Sequence, residues 1–250
     1  MVVDTTKALL VIDMVKGFLN EKTNAGPCAM YLKDAKAALV PNILREFKAL
    51  GNEDIVVYLC DAHARGDAEF KQFPPHCIEG TEESEVVDEL PTEEDNDLTD
   101  ALCYRLNKTR FSGFVKTELE GMLSHFEVEE LLITGLVTEL CVAETVKSAR
   151  QLDFPVTIIK DCIWPLDRVE GDKVLAALQK NYGVKVYVKV DMSSVGPPVD
   201  VTSGGPPASI KEMNVSPPAP KTVEAPKPVE APKEAPKEAT TPPRAGPEKK

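Results

Sequence analysis

Ala8-Leu-Leu-Val-Ile-Asp13 is a run of five apolar residues closed by a carboxylate, and after it Leu32, Ala35, Leu39, Ile43, Phe47 and Leu50 recur at helical spacing. The pair reads as a buried strand followed by an amphipathic helix. The same alternation continues outward. Strand-like runs cover Ile55 to Cys60, Ala101 to Leu106, Leu131 to Ile133, Val156 to Ile159 and Val184 to Val190, and helical patterns cover Lys116 to Phe126, Cys141 to Leu152 and Val169 to Tyr182. Strands that alternate with helices pack as a parallel sheet covered on both faces. The prediction is therefore one α/β domain over residues 1–192, a three-layer α/β/α arrangement on a mostly parallel six-stranded sheet. Val184, Val186, Val188 and Val190 alternate with Lys185, Tyr187 and Lys189, the pattern of an edge strand with one wet face.

Beyond residue 193 the composition changes. Fourteen of the 21 prolines lie there and no Phe, Trp or Tyr does, so residues 193–250 cannot build a core. Glu-Ala-Pro-Lys occurs at Glu224, Glu230 and Glu234, a low-complexity pattern expected to be extended and disordered. A proline-reading partner for this tail stays open, as does a homo-oligomer. The formal net charge of -12 argues against nucleic acid as a partner, because phosphate neutralisation needs a basic surface. No stretch approaches the roughly 20 apolar residues of a membrane span, and no export signal is visible. Six irregularly spaced cysteines without such a signal read as reduced thiols in a cytoplasmic protein.

Ligands of open α/β sheets bind beyond the carboxyl ends of the strands. Asp13 follows the first apolar run, Asp61 and His63 the second, Lys108 the third, and a Gly-Leu-Val-Thr turn the fourth, leading to Cys141. Cys141 stands at the start of a helical pattern, where exposed N–H groups are expected to lower a thiol pKa. Asp13 could exchange its proton and Lys108 could stabilise the charges. Cys28, Cys60, Cys77, Cys103 and Cys162 read as inert buried thiols. Asp61, His63, Glu69 and His76 are carboxylates and imidazoles suited to a borderline or hard divalent metal; His125, on a predicted helix, reads as a surface residue. Glu79 to Asp100 carries eleven acids and no Lys or Arg, the composition of a solvated face.

Three segments together resemble the isochorismatase-like cysteine hydrolases, and within them the nicotinamidases (pyrazinamidases). They are Ala8-Leu-Leu-Val-Ile-Asp-Met-Val-Lys-Gly-Phe18, Asn107-Lys-Thr-Arg-Phe-Ser-Gly-Phe114 and Ile133-Thr-Gly-Leu-Val-Thr-Glu-Leu-Cys-Val-Ala-Glu-Thr145. The resemblance implies Asp13, Lys108 and Cys141 as a catalytic triad and the backbone N–H groups of Val137 and Cys141 as an oxyanion hole, with a cis bond between Leu136 and Val137. It also implies one divalent ion, zinc, iron or manganese, held by Asp61, His63, Glu69 and His76; Asp67 stays open as the third ligand. Phe18, Phe73 and Phe111 fall where the family places aromatic pocket walls. The implied activity is hydrolysis of nicotinamide to nicotinate and ammonia through a cysteine thioester, a step of NAD salvage. Two alternatives are a related amidase for another small amide or ureido substrate, and a catalytically silent binding module with the tail as its interaction arm.

Overall fold

The computed structural model describes residues 5–92 and 99–188. The proline-rich segment 193–250, and the disorder and interaction roles expected of it, lie outside the described residues. Six parallel strands form the main sheet: β1 (Lys7–Ile12), β2 (Ile55–Asp61), β3 (Leu102–Lys108), β4 (Glu130–Leu136), β5 (Val156–Trp164) and β6 (Lys185–Tyr187). Their order is β3-β2-β1-β4-β5-β6. The chain builds outward from β1 through β3, then returns to lay β4 on the other side of β1. That reversal opens a crevice at the carboxyl ends of β1 and β4, the place where a doubly covered sheet accepts a ligand.

Four helices cover the sheet: α1 (Ala35–Phe47), α2 (Leu119–His125), α3 (Ala143–Gln151) and α4 (Arg168–Tyr182). The alternation within β1 explains why both faces are covered. Leu9 and Val11 point into one apolar cluster with Leu39, Ile43 and Phe47 of α1. Ala8, Leu10 and Ile12 point into the other, with Leu123 of α2, Val146 of α3 and Leu178 of α4. Each Leu or Ile buried this way contributes about 1.5–3 kcal/mol from removal of apolar surface from water.

Some boundaries differ from the sequence expectation, for local reasons. Helix α2 begins at Leu119 rather than Lys116, because Lys116 adopts a left-handed φ of 60°. Helix α3 begins at Ala143 rather than Cys141, because Thr138–Val142 winds as a π-helical turn. Pairing of β6 stops at Tyr187, and Val188 is half exposed, so the valine alternation beyond it does not extend the strand; Val190 lies outside the described residues.

The acidic segment is not merely a solvated face. Val86, Val87 and Leu90 turn inward into the first apolar cluster. Lys16 carries ion pairs to Asp88 at 2.7 Å and Glu85 at 3.2 Å, and Lys36 pairs with Glu89 at 2.8 Å. Val15 bridges to Val86. The segment thereby straps the single helical turn Lys16–Leu19 that follows β1.

Strand β4 comes very close to β1 at Gly135. Its φ is +103°, and a Cβ there would lie 2.0 Å from the carbonyl oxygen of Ile12. Only glycine meets both conditions. Gly135→Ala is expected to cost about 4 kcal/mol or more, since it adds a forbidden φ to a backbone clash. Denaturant unfolding checks this, and a loss under about 1 kcal/mol would show that β1 and β4 can part cheaply.

Candidate active site

Register sets the first contact. Asp61 and Lys108 are the paired last residues of β2 and β3, so their side chains leave the sheet side by side, with Lys108 Nζ 2.5 Å from Asp61 Oδ1. Asp13 follows β1 in a left-handed conformation, φ 54°, which a short polar side chain tolerates better than most. Its Oδ1 accepts the Asp61 N–H at 2.9 Å, and its Oδ2 lies 2.8 Å from Lys108 Nζ. The same Nζ donates to Cys141 Sγ at 3.5 Å. One buried ammonium thus faces two carboxylates and a thiol.

The protonation balance follows from this crowding. Burial, then the Asp61 charge, raises Asp13 to about 6 against the opposing pull of Lys108. For Asp61 burial alone would act upward, but Lys108, His63 and His76 outweigh it and hold the carboxyl well below the usual range. For Lys108 burial alone would act downward, yet Asp13, Asp61 and Cys141 hold it well above its ordinary value. Cys141 departs from the sequence expectation. Burial and the Asp13 carboxylate push its thiol well up, and Lys108 only partly opposes them. The reason is position: Cys141 lies inside the π turn, where the Val142 N–H closes back on the Val137 carbonyl at 3.2 Å, and is 6 % exposed, so the environment that excludes water outweighs the helix start. These surroundings therefore favour the neutral thiol over a preformed thiolate.

Beside this group, ligand atoms of Asp61, His63, Glu69 and His76 all lie within 4.8 Å of one another. His63 Nε2 and His76 Nε2 stand 3.6 Å and 3.8 Å from Asp61 Oδ2, and His76 Nε2 stands 4.0 Å from Glu69 Oε1. His63 is wholly buried, and neither ring nitrogen has a hydrogen-bond partner. The orphaned Nε2 of His63, facing the Asp61 carboxylate, is what a divalent cation would satisfy, so these residues fit one. The backbone holds the loop for this purpose: the His63 N–H donates to the Cys77 carbonyl and the Glu79 N–H to the His63 carbonyl, both at 2.9 Å. The carbonyl of Pro74, 2.8 Å from His76 Nδ1, turns the other ring nitrogen inward.

Asp67 takes a different place. Its carboxylate lies 3.5 Å from His63 Nδ1 and accepts the Glu69 N–H at 2.9 Å, so it supports the cluster from behind while Glu69 faces the other members. The cavity in front has a volume of about 60 Å³ and is lined by Asp13, Asp61, Glu69, His76 and Cys141 together with Phe18, Phe73 and Phe111. Phe18 lies 5.4 Å from the His76 ring, and Phe73 meets Phe111 edge-on at 6.2 Å. The Leu136–Val137 peptide bond is cis, and Val137 lines the cavity beside Cys141. His125 is exposed, far from this chemistry in role, and the other five cysteines are buried and unbridged.

Sequence reasoning missed several contributors. Met30, Leu32, Leu140 and Leu166 also line the cavity, and Phe70 packs on both His63 and His76, at 5.4 Å and 5.6 Å. Apolar residues of this kind carry no mark that separates a pocket wall from core. Phe70 had the better signal, since it neighbours Glu69 in the candidate metal segment.

Comparison with known proteins bears on the family and the fold. An uncharacterized isochorismatase family protein, PncA, of Bacillus subtilis is 31 % identical over 185 residues, covering 72 % of this chain and 98 % of that protein. A probable inactive nicotinamidase of Arabidopsis thaliana is 34 % identical, covering 62 % and 78 %. The crystal structure of the nicotinamidase/pyrazinamidase PncA from Bacillus subtilis superposes with a TM-score of 0.64 at 28 % identity, covering 73 % of this chain and 99 % of that one. Residues 7–188, which span every strand of the sheet and every side chain gathered at its crevice, match the isochorismatase domain, and the chain belongs to that family.

Proposed function

We propose that the chain is an amidase that hydrolyses nicotinamide to nicotinate and ammonia through a thioester on Cys141. The observation that carries this reading is a single small cavity that brings Asp13 and Cys141, with Lys108 between them, against the Asp61, His63, Glu69 and His76 cluster. Asp13 takes the thiol proton, and the sulfur bonds to the carboxamide carbon, whose carbonyl oxygen gains the charge. Backbone N–H groups of Val137 and Cys141 stabilise that oxygen. Asp13 returns the proton to nitrogen as the C–N bond breaks, and ammonia leaves. Asp13 then takes a proton from water, whose oxygen attacks the thioester; the C–S bond breaks and Cys141 is reprotonated. Lys108 stays cationic throughout and stabilises whichever of Asp13 and Cys141 is charged. Asp61, His63, Glu69 and His76 would hold one divalent ion, which when bound supplies a Lewis-acidic anchor for a ring nitrogen. Phe18, Phe73 and Phe111 fit the flat faces of such a ring.

The test is ammonia release from nicotinamide by the purified full chain, with and without a chelator. One nicotinate per ammonia is expected, with activity lost on chelation and restored by a divalent ion. His76→Ala should behave like the chelated protein, while alkylation of Cys141 by a small electrophile survives in both. Undiminished turnover after removal of all divalent ion would defeat the metal assignment and favour a metal-free amidase.

Asp13→Asn is expected to lower kcat by at least about a hundredfold, because an amide cannot accept the thiol proton. The check is steady-state hydrolysis alongside an unfolding curve. Near-normal kcat in a folded variant would mean that another base acts.

A further inference from the structure

Leu166 is 58 % exposed, yet it lines the cavity that holds Cys141. The backbone around it is held from two sides. Glu139 accepts the Leu166 N–H through Oε2 and the Asp167 N–H through Oε1, both at 3.0 Å. On the other side Pro165 meets α4 directly: a Cβ on Gly171 would lie 2.6 Å from Pro165 Cβ. Asp167 is itself the N-cap of α4, accepting the Glu170 N–H at 2.9 Å, so the segment continues into a rigid helix. An exposed loop leucine would ordinarily be free to move aside; here its own N–H and the next one are pinned. The pin also belongs to the reactive turn, since Glu139 and Cys141 share the Thr138–Val142 π turn. In a cavity of about 60 Å³, a rim side chain carried on a pinned backbone bears on what fits.

We propose that Leu166 is a specificity residue, setting the upper size of the group that can lie beside Cys141, and that Glu139 is its positioning residue. The proposal rests on the amidase reading only for the identity of the substrate. The cavity wall is tested without any substrate by the alkylation rate of Cys141 with iodoacetamide and with its N-phenyl derivative. Leu166→Ala is expected to raise the bulky-to-small rate ratio about tenfold, the discrimination a few methylene groups give in an apolar pocket, and Leu166→Trp to lower it. Glu139→Ala should reproduce the Leu166→Ala ratio, and the double variant should add nothing further, because one residue acts through the other. Glu139→Gln keeps one acceptor oxygen and should restore part of the wild-type ratio.

Substrate selectivity should move in parallel: Leu166→Ala should favour a ring-substituted nicotinamide over nicotinamide in kcat/KM. An unchanged alkylation ratio in both Leu166 variants overturns the rim assignment, even if nicotinamide is hydrolysed. A ratio that shifts as described in a protein that hydrolyses no nicotinamide upholds the rim assignment and rejects the substrate. Additive effects of Glu139→Ala and Leu166→Ala would remove Glu139 from the positioning role. The Leu166 pair decides the first point whether or not Glu139→Ala folds.

Discussion

Cys141→Ala is expected to leave less than about a hundredth of the wild-type kcat, with the fold and the divalent ion retained. The change removes one sulfur from a turn whose neighbours Val142 and Ala143 are already packed, so the structural cost is that of a small void, about 1 kcal/mol. The chemical loss is of another order, since Cys141 is the one cysteine among the described residues lining the cavity. Quenched-flow or steady-state ammonia assays, with mass spectrometry for a trapped acyl-enzyme, read both halves of the claim. A folded Cys141→Ala protein that keeps more than that fraction of kcat would exclude covalent catalysis as the main route.

Lys108→Met is expected to be costly twice. Its ammonium is the shared counter-charge of Asp13 and Asp61, at 2.8 Å and 2.5 Å in a site that excludes water. Breaking a buried ion pair by deleting one partner costs about 3–5 kcal/mol, because the remaining charge is stranded. Here two carboxylates, with oxygens within 4.8 Å of each other, would be left to repel without their shared cation. The loss should be larger in chelated protein, where only His63 and His76 remain beside Asp61, and turnover should fall with it. Unfolding curves with and without chelator measure the difference. A loss below about 1 kcal/mol in chelated Lys108→Met would mean that the carboxylates are already neutral.

The framework was legible because β1 and β2 are continuous apolar runs that each close on an acid, Asp13 and Asp61. A strand buried on both faces leaves few other readings, and its end marks the rim of the sheet. The cluster of Asp61, His63, Glu69 and His76 was legible because two of only three histidines stand beside acids in one loop. The strap over Lys16 was not, since counting eleven acids hides Val86, Val87 and Leu90 among them, and its cation lies 69 positions from Glu85. Glu139 was illegible for a different reason. It holds backbone N–H groups, and those carry no residue signature at Leu166 and Asp167. The Cys141 thiol was read with the wrong sign because a sequence shows where a helix starts and not how deeply its first turn is buried.

Asp61 offers its two oxygens to different neighbours, Oδ1 to Lys108 and Oδ2 toward His63 and His76. Evolutionary drift at this position is therefore constrained from two directions at once. A replacement that retunes ion affinity must still present an oxygen to the lysine, and one that preserves the lysine contact must still face both imidazoles. Asparagine keeps the reach and loses the charge; glutamate keeps the charge and overshoots by a methylene. Among the described residues, the apolar cavity lining at Phe73, Phe111 and Leu166 meets no such pair of charged partners.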